Sequence, residues 1–206
     1  MREKIKIKNE RIEFDEKFVY LCADIELSDR TTKMWYRFPK EYEAYVCVER
    51  ADAFLTGLLY YAMIYDYDLV IENPVSERLL FQLSTYYIPT LAGTTDFFHE
   101  INIDAVADVR RISNEGAVGT ALSCGVDSFY TILKSLEGNY KNYKVTHVLF
   151  TDIPATIFSD QLRVNWLNDN CKKTEKIAKE LNLKFILCET NLNREFKIKP
   201  FYSSSK

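Results

Sequence analysis

The residues of this chain whose types and spacing could do chemistry lie in one stretch, Gly119-Thr120-Ala121-Leu122-Ser123-Cys124-Gly125-Val126-Asp127-Ser128-Phe129. Residues 117–122 are small or apolar and read as a buried strand ending at Ser123. A tight turn containing Gly125 follows, and a helix is expected from Asp127 or Ser128 to Leu136, with Phe129, Ile132, Leu133 and Leu136 on one face. A strand that turns directly into a helix aims unpaired backbone N–H groups beyond the sheet, where the helix dipole favours an anion. Ser123 and Ser128 could add hydroxyl donors, and Gly125 would let the backbone approach a bound group closely. Asp127 suits an anion site only if a cation comes along, as a ligand to Mg²⁺ bridging phosphate oxygens; otherwise it caps the helix. No lysine follows the glycine, so this is not the G-x-x-x-x-G-K-[ST] phosphate loop.

The elements that must position this stretch alternate. After it come a second buried strand over 145–150, a long helix over 165–181 and a third strand over 184–188. Strands alternating with helices imply a parallel sheet. The preceding half reads as strand-rich. Ile5 and Ile7 alternate with lysines, Asn9-Glu10 is a plausible turn, and Ile12 and Phe14 continue the alternation. Further strands are expected over 17–25, 34–38, 44–48, 68–72 and 97–103. A buried helix is expected over 51–65, and another after Ser76, a good N-cap ahead of Leu79, Leu80 and Leu83. The polar segment 104–116 looks like a connection, giving a strand-rich α+β domain over 1–112 and a nucleotide-binding domain over 113–206. The tyrosines of the first half (Tyr60, Tyr61, Tyr65, Tyr67, Tyr86 and Tyr87) read as core and rim packing, since tyrosine buries its ring and keeps its hydroxyl wet.

Composition bounds the function classes. With 206 residues and 47% hydrophobic content the chain can bury a sizeable core as one domain or two small ones. A formal net charge of −3 argues against a broad basic face for nucleic acid. The five cysteines are odd in number and show no C-x-x-C spacing, so a disulfide scaffold or zinc knuckle is not indicated. The start of the chain has no apolar stretch of the signal-peptide kind, and the longest apolar run, 53–65, falls short of the ~20 residues that span a bilayer. The chain reads as soluble and cytoplasmic, without a membrane partner. Glycine is scarce, six residues, and Gly116, Gly119, Gly125 and Gly138 mark one region for unusual backbone.

Ser123-Cys124-Gly125-Val126-Asp127-Ser128 resembles the S-G-G-x-D-S pyrophosphate loop of the ATP pyrophosphatase superfamily, which includes asparagine synthetase and 7-cyano-7-deazaguanine synthase. Five of the six positions fit; Cys124 stands where the family has its first glycine. The likeness covers roughly residues 117–191, in the family order of strand, loop, helix and strand. It implies an α/β domain with a HUP-like (Rossmann-like) parallel sheet, and ATP and Mg²⁺ as cofactors. By the same resemblance Ala121, Leu122, Ser123, Cys124, Gly125, Val126, Asp127 and Ser128 would cradle the phosphates, with Ser123 and Asp127 catalytic and Asp127 holding the metal. Backbone groups of Phe150 and Thr151 would hold the adenine. The family splits ATP between the α and β phosphates, adenylates an acceptor, and lets a nitrogen or sulfur nucleophile displace AMP. Here the acceptor is unidentified, and amide or nitrile formation is expected ahead of thiolation. If the Cys124 position needs a positive φ, a cysteine there costs about 1 kcal/mol. A reactive thiol at a helix N-terminus is the other reading of Cys124.

Other readings stay open at this stage. The loop could be an ordinary strand-to-helix turn, or part of a nucleotide-binding module without turnover. Ala121-x-Ser123-x-Gly125 is also a variant of the nucleophile elbow of serine hydrolases, which would need a later acid and histidine; the chain offers only His99 and His147. Asp152 and Asn191 follow strands, on the side where open α/β sheets bind ligands, unless they are a turn-forming aspartate and a loop asparagine; Asn193 and Arg194 follow them, and Arg194 could reach a phosphate or be an ordinary surface arginine. The lysines at 172, 173, 176 and 179 read as a solvated helix face. Only three strands are expected after Gly116, whereas such sheets usually have about five or more. The expectation is therefore an incomplete domain, its missing edge supplied by a further half, the first domain or another subunit.

Overall fold

Ile5 and Ile7 fall on one face of β1 (Lys4–Phe14) and both are fully buried, as their alternation with lysines dictates. The computed structural model describes residues 2–112, 116–139, 141–152 and 160–197, the side chains of 141, 152 and 160–167 excepted. β1 pairs antiparallel with β2 (Phe18–Glu26), and β2 with β3 (Thr31–Pro39). Asn9-Glu10 is a bulge rather than a turn. The register shifts between Lys8 and Arg11, and Asn9 takes φ 54°, a left-handed conformation that asparagine tolerates.

Helix α1 (Asp52–Tyr65) lays Phe54, Leu55, Leu58, Leu59, Ala62 and Met63 into the core beneath these strands. Gly57 sits in mid-helix because a Cβ there would collide with the Tyr36 hydroxyl and the Met34 side chain of β3. β4 (Asp68–Ile71) returns parallel to β1. β5 (Val75–Ser76) leads into α2 (Glu77–Gln82), which passes through a π-helical turn (Leu83–Tyr87) into α3 (Ile88–Thr94). Ser76 does not cap α2, because its N–H and hydroxyl both donate to the Asp52 carboxylate.

Two strand expectations in this half fail for local reasons, and the expected connection contains a short strand. Residues 44–48 form no strand: Pro39 closes β3, and the chain turns through a 3-10 helix (Lys40–Tyr45) that buries Tyr42. Of 97–103 only the end is extended, as β6 (Ile103–Asp104) beside β4. The connection at 104–116 contains β7 (Ala107–Asp108), which pairs with β5. Asp108 is buried there between Arg50 and Arg110, and their guanidinium groups hold its carboxyl well below the usual range.

The second half is a run of parallel strands and helices: β8 (Gly119–Ala121), α4 (Val126–Glu137), β9 (His147–Asp152), α5 (Asp160–Glu180), β10 (Lys184–Thr190) and the short α6 (Leu192–Glu195). β9 is parallel to both β8 and β10. β10 then pairs antiparallel with β3, so eight of the ten strands form one mixed sheet in the order β6-β4-β1-β2-β3-β10-β9-β8, and β5 and β7 form a separate pair. The molecule is α/β, compatible with a Rossmann-like arrangement in its parallel part. The sheet crosses the expected boundary at 112/113, and so does the first core, which takes in Phe196 with Leu192 packed against it. One buried cluster gathers around α1 and β1, the other around Leu122, Ile132, Val145, Val148 and Ala178.

β8 departs from its expected form. It is three residues long and half-exposed, not a buried strand over 117–122, because among the described residues it has a hydrogen-bonded neighbour on one side only. Leu133 likewise lies outside the buried face of α4, 46% exposed, while Ile132 is fully buried. Among the described residues no helix is long and apolar enough to cross a membrane.

The seam between the halves is short in backbone terms, Glu189 opposite Arg37 and Thr190 opposite Tyr36. Side chains extend it. Arg37 donates twice to Glu189, at 2.7 and 2.8 Å. The buried Asn191 side chain acts as another peptide unit, accepting from Trp35 N–H at 2.9 Å and donating to Lys33 O at 2.8 Å. Beyond α6, Phe196 is 1% exposed within the first core, edge-on to Tyr61. Asn191→Ala strands a half-buried N–H and should cost about 1–3 kcal/mol; Phe196→Ala should cost about 3–5 kcal/mol. Urea unfolding of each variant measures this; losses below about 0.5 kcal/mol for both would show that the seam does not hold the fold together.

Candidate functional site

Leu122 anchors the loop. It is 1% exposed, and its N–H donates to Leu149 O at 3.1 Å, extending the β8–β9 pairing by one residue. The chain then reverses at Cys124, which takes φ 60°. Gly125 precedes the first turn of α4 with an extended backbone, φ −88° and ψ 167°. The first helical hydrogen bond runs from Phe129 N–H to Gly125 O at 3.1 Å, which leaves the N–H groups of Val126, Asp127 and Ser128 without intrahelical acceptors.

The position that glycine fills in the S-G-G-x-D-S pattern is thus left-handed in this chain. Cysteine carries a penalty of about 1 kcal/mol there. The Cys124 side chain does not narrow the loop. It turns towards α5, its Sγ 3.5 Å from the Oγ1 of Thr174, and packs on the second core. Thr174 is 1% exposed and donates to Asn170 O at 2.9 Å.

Asp127 is exposed in the first turn, and α4 begins with no side-chain cap, so the carboxylate is not committed to its own helix. Ser128 donates to Gly125 O at 2.8 Å, and Ser123 approaches Ser128 Oγ at 3.4 Å. A cavity of about 330 Å³ opens beside the loop, at the carboxyl ends of β8 and β9. It brings together Ala121, Leu122, Ser123, Phe150 and Thr151, with Leu149 and Asn170. Cys124, Gly125, Val126, Asp127 and Ser128 form the adjoining loop and first helical turn without lining the cavity, and Val126 is 84% exposed.

Asn170 is a residue of the cavity that motif and spacing do not point to, although the helix pattern carries a signal. Asn170, Thr174 and Ala178 recur every fourth residue, a small-residue stripe among lysines, and Thr174 and Ala178 are both buried. Other candidates move away from the site. Asn191 serves the β3–β10 seam. Arg194 is exposed on α6, which packs on β3, three strand spacings or about 14 Å from β8. Asn193 shares that short helix. Asp152 ends β9, and its side chain lies outside the described residues.

The elbow reading lacks its histidine. His147 pairs with Gly119 in register, four residues or about 13 Å of strand before Ser123. His99 is exposed beside Asp66. Ser123 therefore has no histidine partner among the described residues. His147 is buried, with Nδ1 2.8 Å from Thr146 Oγ1 and Nε2 unpartnered. Burial, and then the charge of Lys184, lower its pKa.

The unfolded chain thus binds a proton at His147 more readily than the folded one. Stability from this group is present above the unfolded value of about 6.5 and is lost as the pH falls through it towards the folded value. In urea titrations His147→Gln should flatten the loss of stability as the pH falls below about 6.5; an unchanged slope would mean that the imidazole is not held neutral. At the loop, Cys124→Gly should stay within about 1 kcal/mol of the parent, whereas Cys124→Val, a β-branched residue at positive φ, should lose more than about 1 kcal/mol. Thermal unfolding of both checks this, and equal stability of the two variants would contradict a left-handed backbone at that position.

No family model, no curated protein and no solved structure matches the chain, so what can be said of its function rests on this geometry.

Proposed function

We propose that residues 117–191 are a HUP-like nucleotide-binding unit of the ATP pyrophosphatase type, and that the protein transfers an adenylyl group from ATP to an acceptor with release of pyrophosphate. One observation carries the reading: the backbone at Cys124 has φ 60°, a left-handed conformation that glycine adopts without strain, at the position where the S-G-G-x-D-S pattern has its first glycine. The parallel order β10-β9-β8, with the loop at the carboxyl end of β8, supports it further.

In this reading the N–H groups of Val126, Asp127 and Ser128 face the phosphates, and the hydroxyls of Ser123 and Ser128 turn towards them. The residues present fit a magnesium ion. Among the described residues no group of three metal-ligating side chains exists, but Mg²⁺ is commonly held by one or two carboxylates plus substrate phosphates, and Asp127 supplies an uncommitted carboxylate. Bound there, Mg²⁺ would neutralise charge on the phosphate oxygens. An acceptor oxygen attacks the α-phosphorus, the bond to the bridging oxygen breaks, and pyrophosphate leaves with that electron pair. The adenine falls to the cavity beside Phe150 and Thr151.

The acceptor is a small molecule or macromolecule that presents an oxygen nucleophile such as a carboxylate; a nitrogen donor would then displace AMP to give an amide or nitrile. Incubation with [α-³²P]ATP, Mg²⁺, a panel of carboxylate acceptors and ammonia as nitrogen donor should give labelled AMP, with pyrophosphate released in equal amount. ADP and phosphate instead would overturn the mechanism, and saturable ATP binding with no product in the presence of candidate acceptors would favour a binding module. Asp127→Ala should reduce AMP formation by about 100-fold and weaken Mg-ATP binding in calorimetry while leaving circular dichroism unchanged. Undiminished Mg-ATP affinity in that variant would remove Asp127 from the site.

A further inference from the structure

β1 changes character at its bulge. Up to Ile7 it is an inner strand, paired with β2 on one side and, from Lys4 to Ile7, with β4 on the other. Beyond the bulge, Arg11 to Phe14 pair with β2 alone, in register with Cys22 to Val19. Among the described residues no strand lies along their other edge. The bulge itself sets two residues, Asn9 and Glu10, against the single buried Ala23.

Both carboxyl oxygens of Glu10 are shut off from water, and neither has a hydrogen-bond partner among the described residues. A buried carboxylate without a partner is costly, and such a group gives up its charge instead. Burial raises the pKa of Glu10; its own N–H pulls the other way, and the charge of Glu72 adds to the rise. Glu72 follows β4 and borders the bulge, since its N–H donates to Ile7 O at 3.0 Å. The cations on β1 are engaged elsewhere. Lys8 pairs with Glu26, and Arg11 with Glu13 and Asp24. From β2 the core-facing residues beside the bulge, Leu21 and Ala23, are apolar. Glu72 is therefore the charged group that Glu10 meets, and it has the same sign.

We propose that this bulge is a proton-operated catch: Glu10 keeps a proton while β1 is fully paired, and losing it frees the edge half of the strand, Arg11–Phe14. An ionised Glu10 would lie beside Glu72 with no donor, and water reaches it only when the strand lifts at the bulge. Lys4–Ile7, held on both sides, stay in place, so the opening is local. The folded protein holds this proton more tightly than the unfolded chain does. The stabilisation is thus complete below the ordinary glutamate value of about 4.3 and is lost as the pH rises through the folded value. The catch does not depend on the nucleotide reading, since it lies in the other half of the chain.

Two NMR measurements on the full chain test this between about pH 4 and 8. The side-chain carboxyl carbon of Glu10 should titrate with a midpoint above about 4.3. Hydrogen exchange at residues 11–14, corrected for the intrinsic rate at each pH, should accelerate at least about threefold through that same midpoint, while Lys4–Ile7 keep their protection. Glu10→Gln, neutral at every pH, should remove the acceleration. Glu72→Gln, at an exposed position, removes the like charge and should move both midpoints to lower pH. A Glu10 midpoint at or below about 4.3 would overturn the buried proton, and so would midpoints unmoved by Glu72→Gln. Exchange at 11–14 that ignores the Glu10 midpoint, or that accelerates equally in Glu10→Gln or over Lys4–Ile7, would overturn the catch.

Discussion

The structure depends on the antiparallel seam between β3 and β10. Two residue pairs of backbone ladder would be a weak joint for a sheet of eight strands. The fork of Arg37 on Glu189 adds a charge-assisted bidentate contact, and the guanidinium also lies 4.6 Å over the Phe18 ring, so it is packed as well as paired. Asn191 then does with its side chain what the next residue of the strand would have done with its backbone. Because β10 is fixed on one edge by β3, β9 and β8 have a defined place on the other, and the loop after β8 inherits its position from contacts made three strands away.

The same economy governs the loop. A cysteine in a left-handed backbone is unfavourable by itself, and the strain is offset because the side chain finds Thr174 and the second core. Thr174 in turn bonds back to Asn170, one helical turn nearer the cavity beside Ser123. The loop and α5 are therefore coupled through a single residue whose identity departs from the glycine pattern. The departure reads as compensation within the fold, with the thiol facing away from the cleft.

How much of this was legible in the sequence follows from the physics of each element. Periodicity is a local signal, so Ile5 and Ile7, the α1 core positions, and the alternation from β8 to β10 could be read directly. So could the loop, because the strand, glycine and helix start lie within ten residues. The joining of two halves into one sheet could not, because Arg37 and Glu189 lie 152 residues apart and neither announces its partner. Asn191 looked like a ligand-edge residue for the same reason; after a strand, an asparagine that binds a ligand and one that mimics a peptide have the same sequence context. Ser76 looked like a helix cap because its competitor, Asp52, is 24 residues away. His147 could be placed in a strand, but its unpaired Nε2 depends on which rings cover it.

Leu149 ties these threads together. It borders the cavity beside the loop and two cavities on the sheet face opposite α4 and α5. Its backbone carbonyl accepts from Leu122, the residue that fixes the loop. Its Cδ1 lies 2.8 Å from where a Cβ on Gly119 would stand, so glycine at the start of β8 is what lets this side chain reach over the edge strand. A larger residue at 119 would push Leu149 towards one cavity or shift β8 against β9, and interiors transmit such displacements because they have little free space. The glycine that opens the chemical stretch thus has a packing role, since it makes room for Leu149 at the edge of the sheet.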